Sequence, residues 1–342
     1  MKIIEPNVEY WPQENPVDLV CRCARICYQS SCKSHEPNMK MYESLVNNGH
    51  ISMLRHASHY YVIKPSRGDK LLYQFARKAI EAFRNCPYIE LSEVPPKNHD
   101  LPPQWGSCPT IYVSTNANFL VDNEWVEKAI SHYEVEPSVF HEECPELMRF
   151  TFMINTGRII NDEYARKSPN AIAGESTRYC NYSKDKFGGE VKVYASESYD
   201  NDMLMAMNSI SNATMVGLAS RMVDNLVSNK KPMDGFSAEE ALWFSNKIGE
   251  ITYIHQTQEL KRNPDDSRNC LPMNLSSRFV YTYSVREWSH ILRMRLLNMT
   301  GKAHADAKKV AELLYAEFQK LGYCLNEHDE LEYTLNDGKR KD

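Results

Sequence analysis

Two short runs rich in aromatic and β-branched residues, 59–64 (HYYVIK) and 150–155 (FTFMIN), stand among much longer stretches with helical spacing. Runs of that kind read as strands. Apolar residues at i, i+4 and i+8, as at Phe75, Ala79 and Phe83, read as helix. Helical stretches are expected over 18–28, 39–48, 71–85, 116–133, 158–167, 203–229, 286–299 and 304–321. A capping box at Ser237 and Glu240 starts another that runs to about Arg262. Pro264, Asp265 and Asp266 suit the first turn of a further helix, where negative charge meets the helix dipole. Helices outnumber strands and no regular βαβ alternation appears. The fold class is therefore α+β, one sheet flanked by long helices. The proline-rich 93–109 reads as a connector. The polar tail from Asn326 is expected to fray.

At 342 residues, 42% apolar and 25% charged, the chain has the material for a folded core. Forty basic against forty-five acidic side chains leave a net charge of −5, without the basic excess of a nucleic-acid binder. No apolar run approaches the ~18 residues of a membrane span, and Met1 to Pro6 lacks a signal core. With ten cysteines, a reduced cytoplasmic protein is expected.

Cys21, Cys23, Cys27 and Cys32 cluster, but C-x-C-x3-C-x4-C fits neither zinc pairs nor iron–sulfur runs, so no metal site is expected. No cysteine lies in a nucleophile context. His50, His56 and His59 lack a tight ligand spacing and read as pocket or core residues. The methionines of 203–222 read as apolar packing. No glycine-rich phosphate loop is present, and Gly188-Gly189 reads as a turn. Any phosphate must therefore be held by side chains, and arginine is suited to that. Arg158, Arg166 and Arg178 lie in or near a dense polar segment, and Arg268, Arg278, Arg286 and Arg295 recur later. Arg286 and Arg295 are nine residues apart on one expected helix, so they point to roughly opposite faces.

The segment Glu175-Ser176-Thr177-Arg178-Tyr179 resembles the S-x-R-Y motif of the flavin-dependent thymidylate synthases. In that family R-H-R and seven residues precede the motif. Here Arg166-Lys167-Ser168 holds that place, with Arg166 ten before Ser176. Ala24-Arg25-Ile26-Cys27-Tyr28 and the segment from Gly49 to His56 resemble the family's N-terminal helix and its G-H-x-[ST]-x-x-E-H segment. Thr156-Gly157-Arg158 and Glu163 resemble the helix leading into the motif. Arg268-Asn269-Cys270-Leu271-Pro272 resembles A-R-x-x-L-P. Arg286-Glu287-Trp288-Ser289-His290 with Arg295 resembles R-x-W-x-H-F-x-x-L-R, and Ala303-His304 the closing A-H. The block 69–148 has no counterpart and reads as an insertion into a single domain spanning 1–342.

The resemblance implies a central, mainly antiparallel sheet flanked by long helices, and a homotetramer. It implies reductive methylation of dUMP to dTMP with methylenetetrahydrofolate, FAD and NADPH. Carried over by position, Ser176, Arg178, Arg268 and Arg295 hold dUMP, with Glu163, Arg166, Gly174, Glu175 and Thr177 beside it. Arg295 is the catalytic cation at the uracil edge. Ser52, Arg166, Lys167, Ser168, Gly174, Ser284, Arg286 and His290 fall at flavin positions. The chain departs from the family at Lys167-Ser168 for His-Arg, Arg55 for Glu, Gly174 for a polar residue and Ser284 for Asn. The nucleotide arginines persist while the flavin side is altered. Two other readings stay open: a flavin enzyme acting on UMP or dCMP, and a non-catalytic nucleotide-binding relative.

Overall fold

The computed structural model describes residues 1–31, 34–66, 69–95, 108–165 and 171–334. Its strands are β1 (Lys2–Ile4), β2 (Asn7–Tyr10), β3 (Ser58–Ile63), β4 (Glu90–Val94), β5 (Thr110–Asn116), β6 (Arg149–Gly157), β7 (Ile172–Gly174), β8 (Lys192–Tyr194), β9 (Ser276–Ser284), β10 (Tyr323–Leu325) and β11 (Leu331–Tyr333). Its helices are α1 (Pro16–Ile26), α2 (His35–Asn47), α3 (Lys70–Glu81), α4 (Ala117–Asp122), α5 (Glu124–Ile130), α6 (Pro137–Glu143), α7 (Arg158–Tyr164), α8 (Asn201–Ser209), α9 (Ser211–Val227), α10 (Ala238–Ile254), α11 (Pro264–Ser267), α12 (Val285–Arg295) and α13 (Ala305–Lys320). The class is α+β.

The central sheet is antiparallel in the order β2-β6-β9-β7. Side chains alternate between its faces. Phe150, Phe152, Ile154, Phe279, Tyr281 and Tyr283 pack under α7, α12 and α13. Trp288 of α12 meets Phe152 edge-on at 5.3 Å. Met153, Ala173 and Val280 face the other way, against Leu19, Cys23 and Ile26 of α1. Both faces are covered, so the middle strands β6 and β9 are buried almost throughout.

Chain direction then places the helices that carry charged residues. Arg149 pairs with Ser284, and Gly157 with Ser276. Strand β6 continues into α7 at one end, and β9 continues into α12 at the other. A nine-residue strand spans ~30 Å and an eleven-residue helix ~16 Å. Folding back over the same face, α12 brings its C-terminal Arg295 to α7.

A second antiparallel sheet, β3-β5-β4, has its own core with α3 and α5. Most of it lies in the block 69–148, yet β5 pairs along all of β3, outside that block. A third core joins β1 and β8 to α8, α9 and α10, with Met207, Met215 and Met222 against it.

Several expectations need correction. The stretch 203–229 is two helices that part at Ile210, and 116–133 parts at Asn123. The polar tail does not fray at Asn326: β10 and β11 form a hairpin whose Leu331 enters the main core. Helix α10 stops at Ile254, and 255–259 widen to a π-helix. Among the described residues no helix is long and apolar enough to cross a membrane.

Candidate functional site

The S-x-R-Y segment leaves the sheet edge at β7. The Glu175 N–H continues the ladder to the Arg278 carbonyl at 2.8 Å. The Ser176 N–H then donates to the Cys27 carbonyl at the end of α1, 3.2 Å away. A turn follows in which Tyr179 N–H and Cys180 N–H return to the Ser176 carbonyl. The Ser176 hydroxyl accepts the Arg178 N–H at 3.3 Å. Thr177 is buried by this turn, while Arg178 and Tyr179 point outward. Glu175 anchors it from below: its buried carboxylate accepts from Gln29, from Tyr182 at 3.0 Å and from Arg278 at 3.2 Å.

Arg268 comes from a different part of the chain, the 3₁₀ turn after α11. It meets Arg178 at one atom. Asp265 Oδ1 lies 3.2 Å from Arg178 Nε and 3.2 Å from Arg268 Nη2. All three side chains are solvent-accessible. Beside them the exposed rings of Tyr28 and Tyr179 pack with centroids 4.9 Å apart, and the Arg178 guanidinium lies over Tyr179. Asp265 was legible only as a helix-start charge. Its role as the link needed the fold.

Arg295 lies apart from this pair. Its Nη1 is 3.0 Å from Glu163 Oε2, and its Nη2 donates to the Glu163 carbonyl at 3.1 Å. The two line a cavity of about 260 Å³ with Tyr164, His290 and Thr300. No hydrogen bond or ion pair among the described residues joins this cluster to Arg178 and Arg268 within one chain. Arg286, exposed in the first turn of α12, points away from Arg295, as the nine-residue separation requires.

Arg166, Lys167 and Ser168, at the place of R-H-R, lie outside the described residues, as does Cys32. The other flavin positions do not all present themselves alike. Ser52 is exposed on the 3₁₀ turn Ile51–His56. Arg286 and His290 share a face of α12 one turn apart. A pyrophosphate fits an arginine and a histidine so arranged. Ser284 offers nothing to it. Its side chain is buried, caps α12 by accepting the Glu287 N–H, and donates to the Glu90 carboxylate of β4. Burial pushes the Glu90 carboxyl up. Arg55, the other altered charge, donates to Asn118 at 2.9 Å and lies over Tyr88. The block 69–148 thus touches two of the altered positions.

Gly174 does not leave an open subsite. A Cβ there would stand 2.6 Å from Phe279 Cε1, so the ring already fills the space a side chain would take. Phe279 is itself buried and stacked on Tyr281, and cannot swing aside cheaply. Gly174→Ala is expected to lower stability by roughly 1–3 kcal/mol in urea unfolding. Phe279→Leu in the same chain should recover part of that loss. An unchanged midpoint for Gly174→Ala would contradict the packing.

A model of the family described as thymidylate synthase complementing protein (Thy1) matches residues 111–321. No curated protein matches the chain. Similar solved structures include a UMP/dUMP methylase from Streptomyces cacaoi bound with 5-Br UMP, 11% identical, with a TM-score of 0.37. That match covers 94% of this chain and 92% of the other. A flavin-dependent thymidylate synthase from Helicobacter pylori, complexed with FAD and dUMP, is 13% identical with a TM-score of 0.34, over 93% and 97% of the two chains.

Proposed function

Because the chain belongs to the thymidylate synthase complementing protein (Thy1) family, we propose that it binds a pyrimidine nucleoside monophosphate and methylates the base reductively at C5, with dUMP as substrate. The observation that carries this is the meeting of Arg178 and Arg268 on Asp265, beside the exposed Tyr28–Tyr179 pair. Two guanidinium groups sharing one carboxylate keep a net positive charge and free N–H edges. A phosphate dianion accepts such forks. The tyrosine pair offers a face to a flat base.

Arg295 is held by Glu163 in its own cavity. A cation there would stabilise negative charge on the uracil edge and make C5 more nucleophilic. Serving the same nucleotide as Arg178 then calls for a second copy of the chain, so a homo-oligomer is part of the proposal. Methylenetetrahydrofolate would donate the one-carbon unit. FAD, held by Ser52, Arg286 and His290 and renewed by NADPH, would supply reducing equivalents.

Forming the new bond at C5 requires the C5 hydrogen to leave. The test is tritium release from dUMP labelled at C5, with methylenetetrahydrofolate, FAD and NADPH, and with labelled UMP and dCMP in parallel. Release from dUMP supports the proposal. Release from UMP or dCMP alone reassigns the substrate. Nucleotide binding without release from any of the three leaves a non-catalytic binding protein and overturns the enzymatic reading.

A further inference from the structure

On the α1 face of the central sheet a cavity of about 520 Å³ opens between α1, β2, β6 and β9. Arg22, Arg25 and Arg278 line it, with Ile26, Met153 and Trp11 as the apolar part. Two of the three guanidinium groups have carboxylate partners. Arg22 is 3.1 Å from Glu9, and its guanidinium carbon lies 3.7 Å from the Trp11 ring centroid. Arg278 is 3.2 Å from Glu175.

Arg25 differs. Its side chain is 6% exposed, and its hydrogen-bond acceptors are neutral: Nη1 donates to Asn38 Oδ1 at 2.8 Å and to the Cys21 carbonyl at 3.3 Å. The nearest carboxylate in that network, Asp18, is one residue further on and takes the Asn38 amide at 2.7 Å. The guanidinium also lies beside the Cys21 thiol, and neither Nε nor Nη2 meets a carboxylate among the described residues; these two atoms are not among the sealed, unpaired atoms of the interior. Burying a guanidinium without a counter-charge is costly. A fork left open toward a cavity is suited to a planar oxyanion.

We propose that this cavity is an anion-binding site separate from the nucleotide site. Its ligand is a small organic oxyanion, a carboxylate or a phosphate monoester, that bonds Arg25 Nε and Nη2 and lays an apolar body along Ile26 and Met153. A volume of this size takes a small metabolite.

Benzoate and phenyl phosphate serve as probes, titrated calorimetrically at constant ionic strength. Saturable binding of either to the unmodified protein is expected, and which one binds identifies the source of the oxyanion. Arg25→Met should weaken it at least tenfold, since a charge-assisted bidentate pair is lost. Met153→Trp, which fills the cavity and keeps every arginine, should weaken it similarly, so the test survives if Arg25→Met does not fold. Arg178→Ala should leave it unchanged. No saturable binding, or binding that persists in Met153→Trp, would overturn the proposal. Loss in Arg178→Ala alone would assign the anion to the nucleotide site instead.

Discussion

Replacing both Arg178 and Arg268 with alanine is expected to weaken dUMP binding by roughly 10³-fold, about 4 kcal/mol, in calorimetric titration. Hydrogen bonds to charged groups contribute roughly 1.5–3 kcal/mol each, and each guanidinium can supply more than one. Deoxyuridine, which lacks the phosphate, should bind the double variant and the parent alike. Stability should barely move, because ion pairs this accessible contribute little to folding. Arg295→Ala should spare phosphate affinity and depress turnover. An equal loss of deoxyuridine binding would mean that the arginines shape the site without holding the phosphate.

The second large effect concerns acid. His56 is fully buried between the 3₁₀ turn that carries it and β9, with Nδ1 2.8 Å from Thr282 Oγ1. Burial, and then the nearby Arg149 charge, push its pKa down from 6.5 to about 3, against a smaller opposing effect of the Ile172 backbone. The unfolded chain therefore takes up this proton first. Stability from this group is full above pH 6.5 and falls as the pH drops toward 3, by about 1.4 kcal/mol per unit. Over the whole window the loss is roughly 5 kcal/mol. His56→Gln removes the titration. Its urea-unfolding free energy should therefore change less between pH 6 and pH 4 than that of the parent. Coincident slopes would show that His56 is protonated in the folded chain.

The strands that could be read from sequence were those with uninterrupted aromatic and β-branched runs. Strand β9, SSRFVYTYS, is central yet escapes that reading. Tyr281 and Tyr283 are buried on one face, and Val280, Thr282 and Ser284 on the other, so no alternation of apolar and polar residues marks it. Two of its buried hydroxyls find tertiary partners: that of Tyr281 in Asn161, and that of Thr282 in Thr151 and His56. Local propensity contains none of that. The helix breaks at Ile210 and Asn123 were hidden for a similar reason, since neither residue is a strong breaker. At the candidate site, Arg178 and Arg268 were visible as residue types at a spacing. That they share Asp265, and that Arg295 turns instead to Glu163, depends on how β6 and β9 send their helices back over the sheet.

The contacts of Glu90 with Ser284, and of Asn118 and Tyr88 with Arg55, bear on how this chain can be recombined. They couple positions 55 and 284 to Tyr88, Glu90 and Asn118. A chain that keeps Tyr88, Glu90 and Asn118 but carries Glu at 55 and Asn at 284 would set two carboxylates, at 55 and 90, among groups shaped for other partners. A chain that loses β5 and α4 would strip β3 of its strand partner and take from Arg55 its amide acceptor. Residues 55 and 284 therefore have to change together with 88, 90 and 118.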